Sequence, residues 1–113
     1  MASIDFEIDS FYNEMAALRL EINSIDYSMK EFEKNRRQYP QWRMKDGRFI
    51  KISDISDEHL NNLICFIKRK GQGNDRKWLW LFENELNYRK NKAIKEDLLK
   101  TLEEYEEVEN NCL

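Results

Sequence analysis

Apolar residues recur along the first third of the chain at a spacing that leaves little freedom in how it folds. Ile4, Ile8, Phe11, Met15, Leu18, Ile22, Ile25, Met29 and Phe32 follow one another at intervals of 4, 3, 4, 3, 4, 3, 4 and 3. That is an unbroken heptad pattern and predicts a helix over residues 3–37. With Ile8, Met15, Ile22 and Met29 at position a, and Ile4, Phe11, Leu18, Ile25 and Phe32 at d, Glu7, Glu14 and Glu21 fall at g. At about 1.5 Å per residue such a helix is longer than a domain of this size is wide, so its stripe needs a partner. The partner is either the chain's own C-terminal helix or another copy; a plain amphipathic helix packed inside its own domain is the simpler version of the first.

Tyr39-Pro40 ends the pattern, because proline biases the residue before it away from helical dihedrals and cannot continue the hydrogen-bond ladder. Residues 42–52 then alternate in two short runs about Asp46-Gly47 and predict a β-hairpin. With Asp46-Gly47 as a two-residue loop, Lys45 would pair with Arg48, Met44 with Phe49, Arg43 with Ile50 and Trp42 with Lys51. Trp42, Met44 and Phe49 would then share one face, and Arg43, Lys45 and Arg48 would gather on the other. A second helix is expected over residues 56–70, with Ser56 as its N-cap, Asp57 and Glu58 in its first turn, and Lys68, Arg69 and Lys70 before Gly71. Its stripe is Leu60, Leu63, Ile64 and Ile67, with His59, Asn62 and Phe66 on the flank. After the linker Gly71-Gln72-Gly73-Asn74, a last helix over residues 75–108 opens apolar nearly all round. It continues through Leu86, Ala93, Ile94, Leu98, Leu102, Tyr105 and Val108, with a polar stretch at 88–92 where it could bend. The fold class is therefore mainly α with one small β-hairpin (α+β), in one domain spanning residues 1–113.

Charge refines this picture. The first helix runs from acidic (Asp5, Glu7, Asp9) to basic (Lys30, Lys34, Arg36, Arg37), which suits a helix macrodipole, with Ser3 available as its N-cap. The last runs the other way, from Arg76 and Lys77 to Glu103, Glu104, Glu106, Glu107 and Glu109, so a parallel pairing of the two long helices would match opposite charges along their length. A net charge of −3 on 113 residues, 36% of them charged, disfavours bulk nucleic acid and anionic membranes as partners. No stretch is apolar enough to span a membrane, and Met1 to Asp9 has no basic leader region, so a cytoplasmic protein is expected. The small apolar content favours self-association. Cys65 and Cys112 form neither a metal pattern nor a disulfide framework and are expected as reduced thiols.

Candidate chemistry is sparse. His59 is the sole histidine, and the nearby Ser53, Asp54, Ser56 and Asp57 are accounted for by helix capping, so no catalytic residues, metal or cofactor are expected. Gly71-Gln72-Gly73 lacks the third glycine and the preceding strand of a dinucleotide loop. The informative cluster is basic and aromatic. Arg43, Lys45 and Arg48 on the hairpin, with Trp78 beyond the linker, could supply forked phosphate contacts and a stacking face for a nucleotide-sized anion. Core packing is the competing explanation for Trp78, and helix-end charge the competing explanation for Lys68 to Lys70.

The stretch Trp-x3-Asp-Gly-x2-Ile-x-Ile-x-Asp-Ile-x-Asp-x-His-Leu-x-Asn from Trp42 to Asn62 resembles small proteins of bacteriophages and prophages. Its layout of hairpin plus helices is most similar to the anti-Thoeris sponges, which withhold cyclic ADP-ribose-type signals from bacterial immune effectors. That resemblance implies a non-catalytic, oligomeric nucleotide-binding protein acting in the host cytoplasm. The alternative is a helical interaction module or inhibitor that docks on a host protein through the heptad helix.

Overall fold

In the computed structural model the heptad stretch is helix α1, Ala2–Arg36, and the chain continues through strands β1 (Trp42–Arg43) and β2 (Phe49–Ile50), a 3-10 turn at Ile52–Asp54, helix α2 (Asp57–Lys70) and helix α3 (Asp75–Cys112). The structure describes the backbone of residues 2–71, 73 and 75–112, and the side chains of residues 8–71, 73 and 75–111. The expected Ser3 cap, the Ile4 position, the acidic residues Asp5 and Glu7, and Cys112 fall outside the described side chains. The mainly helical class with one small hairpin is what the chain adopts. No helix among the described residues is long and apolar enough to cross a membrane. Two compact units divide it, one made of residues 1–30 and 91–113 and the other of residues 31–90.

The first unit pairs α1 with α3. Met15, Ile22 and Met29 are buried and Phe11, Leu18 and Ile25 half-buried, so the predicted a and d columns form the seam from Phe11 onward, while Ile8, also expected at a, is exposed. Each fully buried side chain of this size contributes about 2 kcal/mol from area alone. The helices run antiparallel: Phe11 packs against Tyr105 with ring centroids 5.1 Å apart, the Tyr105 hydroxyl donates to Glu14, and Lys95 Nζ meets Asp26 at 2.5 Å. The parallel arrangement expected from charge does not occur within the chain. End-to-end charge matching acts over distances that salt screens beyond about 8–10 Å, whereas the apolar seam and its local ion pairs act at contact. The α3 side of the seam is the half-buried column Asn91, Lys95, Leu98, Leu102, Tyr105 and Glu109. Ala93, Ile94 and Val108, expected on that face, are exposed. Lys95, joined by Lys30 at 3.0 Å, holds the Asp26 carboxyl below its ordinary range.

The second unit is built on the hairpin, α2 and the first half of α3. Ile52, Ile55, Leu60, Ile64, Ile67, Leu81 and Phe82 are its buried core, with Trp42, Ile50 and Trp78 packed against them. The hairpin register differs from expectation by one residue. Trp42 pairs with Ile50 and Arg43 with Phe49, and the loop holds three residues, closed by Gly47 N–H to Met44 O at 2.9 Å and Met44 N–H to Arg48 O at 2.7 Å. Gly47 sits at φ 89°, so the connection is a tight turn followed by a left-handed glycine, not the two-residue form. The shift turns Trp42 and Ile50 together toward the core and leaves Phe49 and Arg43 outside, the exchange of faces that a one-residue slip must produce.

Ser56 caps α2 by accepting the His59 N–H at 3.2 Å. At the other end a Cβ on Gly71 would lie 2.3 Å from the Ile67 carbonyl oxygen, so only glycine allows this exit. Helix α3 is uninterrupted through residues 88–92, and two of the polar residues there find side-chain partners. Tyr88 hydrogen-bonds Glu33 at 2.6 Å and Arg89 pairs with Asp57 at 2.6 Å.

Candidate anion-binding site

The second unit carries a cavity of about 480 Å³ lined by Glu33, Arg36, Arg37, Tyr39, Gln41, Lys51, Ile52, Ser53 and Tyr88. Its construction follows from the local sequence. Arg36 and Arg37 sit at the C-terminal end of α1, where cations suit the helix dipole, and the turn into Tyr39-Pro40 redirects the chain so that Tyr39 and Gln41 form an adjacent wall. Lys51, Ile52 and Ser53 come from the segment after β2. Arg89 fixes that segment by donating to the Ile55 carbonyl at 2.6 Å and, at longer range, to the Ser53 carbonyl at 3.3 Å.

Beneath the wall lies Glu85, fully buried. It is ion-paired with Arg36 and lies 3.6 Å from Arg89. The Arg36 guanidinium also rests 4.4 Å from the centroid of the Tyr88 ring. A carboxylate taken wholly out of water needs such partners, and a protein that removed one would leave an uncompensated charge. Even so, Glu85 Oε2 and Arg36 Nε have no hydrogen-bond partner.

Both tyrosines keep their protons. Burial, reinforced by Glu85, pushes the Tyr39 hydroxyl above its ordinary pKa. The hydrogen bond to Glu33, followed by burial, does the same for Tyr88. Among the described residues Arg37 and Lys51 make no ion pair. With Arg36 occupied by Glu85, the wall presents two free cations against the single carboxylate of Glu33, so the cavity carries a surplus of positive charge suited to an anion.

The four residues singled out by sequence lie elsewhere. Arg43 and Lys45 are exposed on β1 and the hairpin loop. Arg48 is exposed and tied to Asp46, Nε to Oδ2 at 2.7 Å. Trp78 packs edge-on against Trp42 at 5.0 Å and beside Phe82 at 5.8 Å, which makes it part of the core packing. None of the four lines the cavity. His59 is half-buried and Asn62 exposed, and neither borders it.

Sequence reasoning assigned Arg36 and Arg37 to the helix dipole and went no further. The overlooked signal was Glu85: Trp78, Phe82 and Glu85 fall at i, i+4 and i+7 on the inward face of α3, where a carboxylate demands a buried cation. No family model, no curated protein and no solved structure matches this chain.

Proposed function

We propose that this protein is a non-catalytic binder that sequesters a small phosphate-bearing ligand, of the size of a cyclic nucleotide, in the cavity walled by Arg36, Arg37 and Lys51. The observation that carries this reading is the surplus of cations, with Arg37 and Lys51 free of ion pairs, around a cavity of about 480 Å³, within the range of small-molecule sites. An arginine fork and an ammonium suit phosphate oxygens, Tyr39 adds an aromatic wall beside a base, and Ser53 and Gln41 offer hydrogen bonds to its polar edge. This moves the phosphate contacts from the hairpin tip to the end of α1 while keeping the ligand class suggested by the resemblance to nucleotide sponges. Nothing in the reading calls for a nucleophile, and the ligand would leave chemically unchanged.

Thermal unfolding in the presence of a panel of cyclic mono- and dinucleotides and cyclic ADP-ribose-type molecules tests it. A ligand at a hundred times its Kd stabilises the folded state by about 2.7 kcal/mol, which raises Tm by roughly 10 °C in a chain of this length. A panel in which no member moves Tm would remove the proposal.

A further inference from the structure

The two flanks of the α1–α3 seam in the first unit are unlike one another. On one flank, where Tyr12 and Leu99 are also exposed, charged pairs bridge the seam: Arg19 reaches Glu106 at 3.6 Å and Asp26 reaches Lys95 at 2.5 Å. Helical spacing puts Ile94, Thr101 and Val108 in a single column on the other flank of α3, and Glu14, Glu21 and Ser28 in the facing column of α1. Ile94 is 45% exposed and Val108 44% exposed. No ion pair bridges this second flank among the described residues; Glu14 accepts from the Tyr105 hydroxyl, and Glu21 forms no ion pair among the described residues. Between the two columns lie the half-buried Leu18, Ile25, Leu98 and Tyr105. The result is an apolar trough, open along one side of a two-helix pair, that a third helix would complete.

We infer that this trough is a docking groove for a basic amphipathic helix of another protein. Charge decides the occupant. Outside the Ile94–Val108 column stand the exposed Asp97 and Glu104, and across the trough stand Glu14 and Glu21, so both rims are acidic. The unit as a whole holds thirteen acidic against five basic residues, a net of −8. A helix with an apolar stripe and Lys or Arg on both flanks meets the floor and both rims at once, in the manner of helix-in-groove recognition. A second copy brings another unit of net −8 and is repelled. From Ile94 to Val108 the column runs about 20 Å at 1.5 Å per residue, so the bound helix needs about four turns. The heptad stripe of α1 is not itself the docking surface, since Met15, Ile22 and Met29 are already buried.

A synthetic peptide of about three heptads, with Leu at a and d and Lys at e and g, is a suitable probe. Titrated into the full chain at about 0.05 M salt, it should bind with one-to-one stoichiometry and gain helicity, and raising the salt to about 0.5 M should weaken it several-fold. Ile94→Lys and Val108→Lys should each weaken binding roughly tenfold or more, whereas Leu20→Lys, on the outer face of α1, should leave it unchanged. Circular dichroism of each variant confirms that the helices persist. A version of the peptide with Gln in place of Leu keeps the charge and should bind far more weakly. The inference is overturned if the Leu/Lys peptide does not bind, if the Gln version binds as well, or if folded Ile94→Lys and Val108→Lys proteins bind it like the wild type. It is equally overturned if sedimentation shows that the groove is filled by a second copy.

Discussion

Replacing Arg36 by methionine isolates the interaction that the second unit depends on most. The substitution keeps the aliphatic stem and removes the charge that neutralises Glu85, a fully buried carboxylate. Breaking a buried pair from one side costs about 3–5 kcal/mol, because the remaining charge stays desolvated and unpaired. Arg89 still lies 3.6 Å from Glu85 and offsets part of this, so we expect the lower end, about 3 kcal/mol. That corresponds to a fall in Tm of roughly 12 °C for a chain of this length. Adding Glu85→Leu in the same chain removes the stranded charge, and replacing both partners by apolar groups is commonly close to neutral. The double variant should therefore recover most of the loss and be about 2 kcal/mol more stable than Arg36→Met alone. Urea unfolding followed by both tryptophan fluorescence and far-ultraviolet circular dichroism measures it. An Arg36→Met cost below about 1 kcal/mol, or a double variant no more stable than the single one, would refute the account of Glu85 as a charge that must be matched.

Other predictions concern local features. Lys95 and Lys30 lower the Asp26 pKa, so its contribution to stability is present above the ordinary carboxylate pKa of 3.8 and is lost as pH falls through the lowered value. Asp26→Asn should then flatten the acid decline in Tm, and an unchanged acid profile would contradict the pairing. The raised pKa values of Tyr39 and Tyr88 have the opposite sense: their contribution is present below the ordinary value of 10.0 and is lost as pH rises through the folded one. Phenolate absorbance should show these two ionising late, and Tyr88→Phe should remove one late step. Gly47→Val forces a β-branched residue to φ 89°, costing about 1–2 kcal/mol and loosening Trp42, with a red shift of its fluorescence as the readout.

The helices were legible because their determinants are local. The 4-3 spacing from Ile8 to Phe32, Ser56 ahead of Asp57 and Glu58, and Pro40 after Tyr39 each act within a turn or two of chain. Hairpin register was legible in principle. Asp-Gly serves both a two-residue loop and a three-residue loop with left-handed glycine, and only the second turns Trp42 and Ile50 inward together. Helix orientation was not legible from charge, because the sequence displays end-to-end polarity while contacts such as Asp26 with Lys95 decide the pairing locally. The cavity was the least visible feature. Arg36, Lys51 and Tyr88 are far apart in sequence, each has an ordinary local role, and their convergence exists only once α1, the turn after β2 and α3 have packed.

Calorimetric titration of a phosphate-bearing cyclic nucleotide, chosen by its effect on Tm, into wild-type and variant protein puts the central claim to its most direct test. Arg37→Ala and Lys51→Ala should each weaken binding by about 1.5–3 kcal/mol, the worth of a charge-assisted hydrogen bond, while Arg43→Ala and Arg48→Ala on the hairpin leave it unchanged. Absence of heat with every nucleotide, or binding lost in the hairpin variants and retained in the cavity variants, would contradict the account.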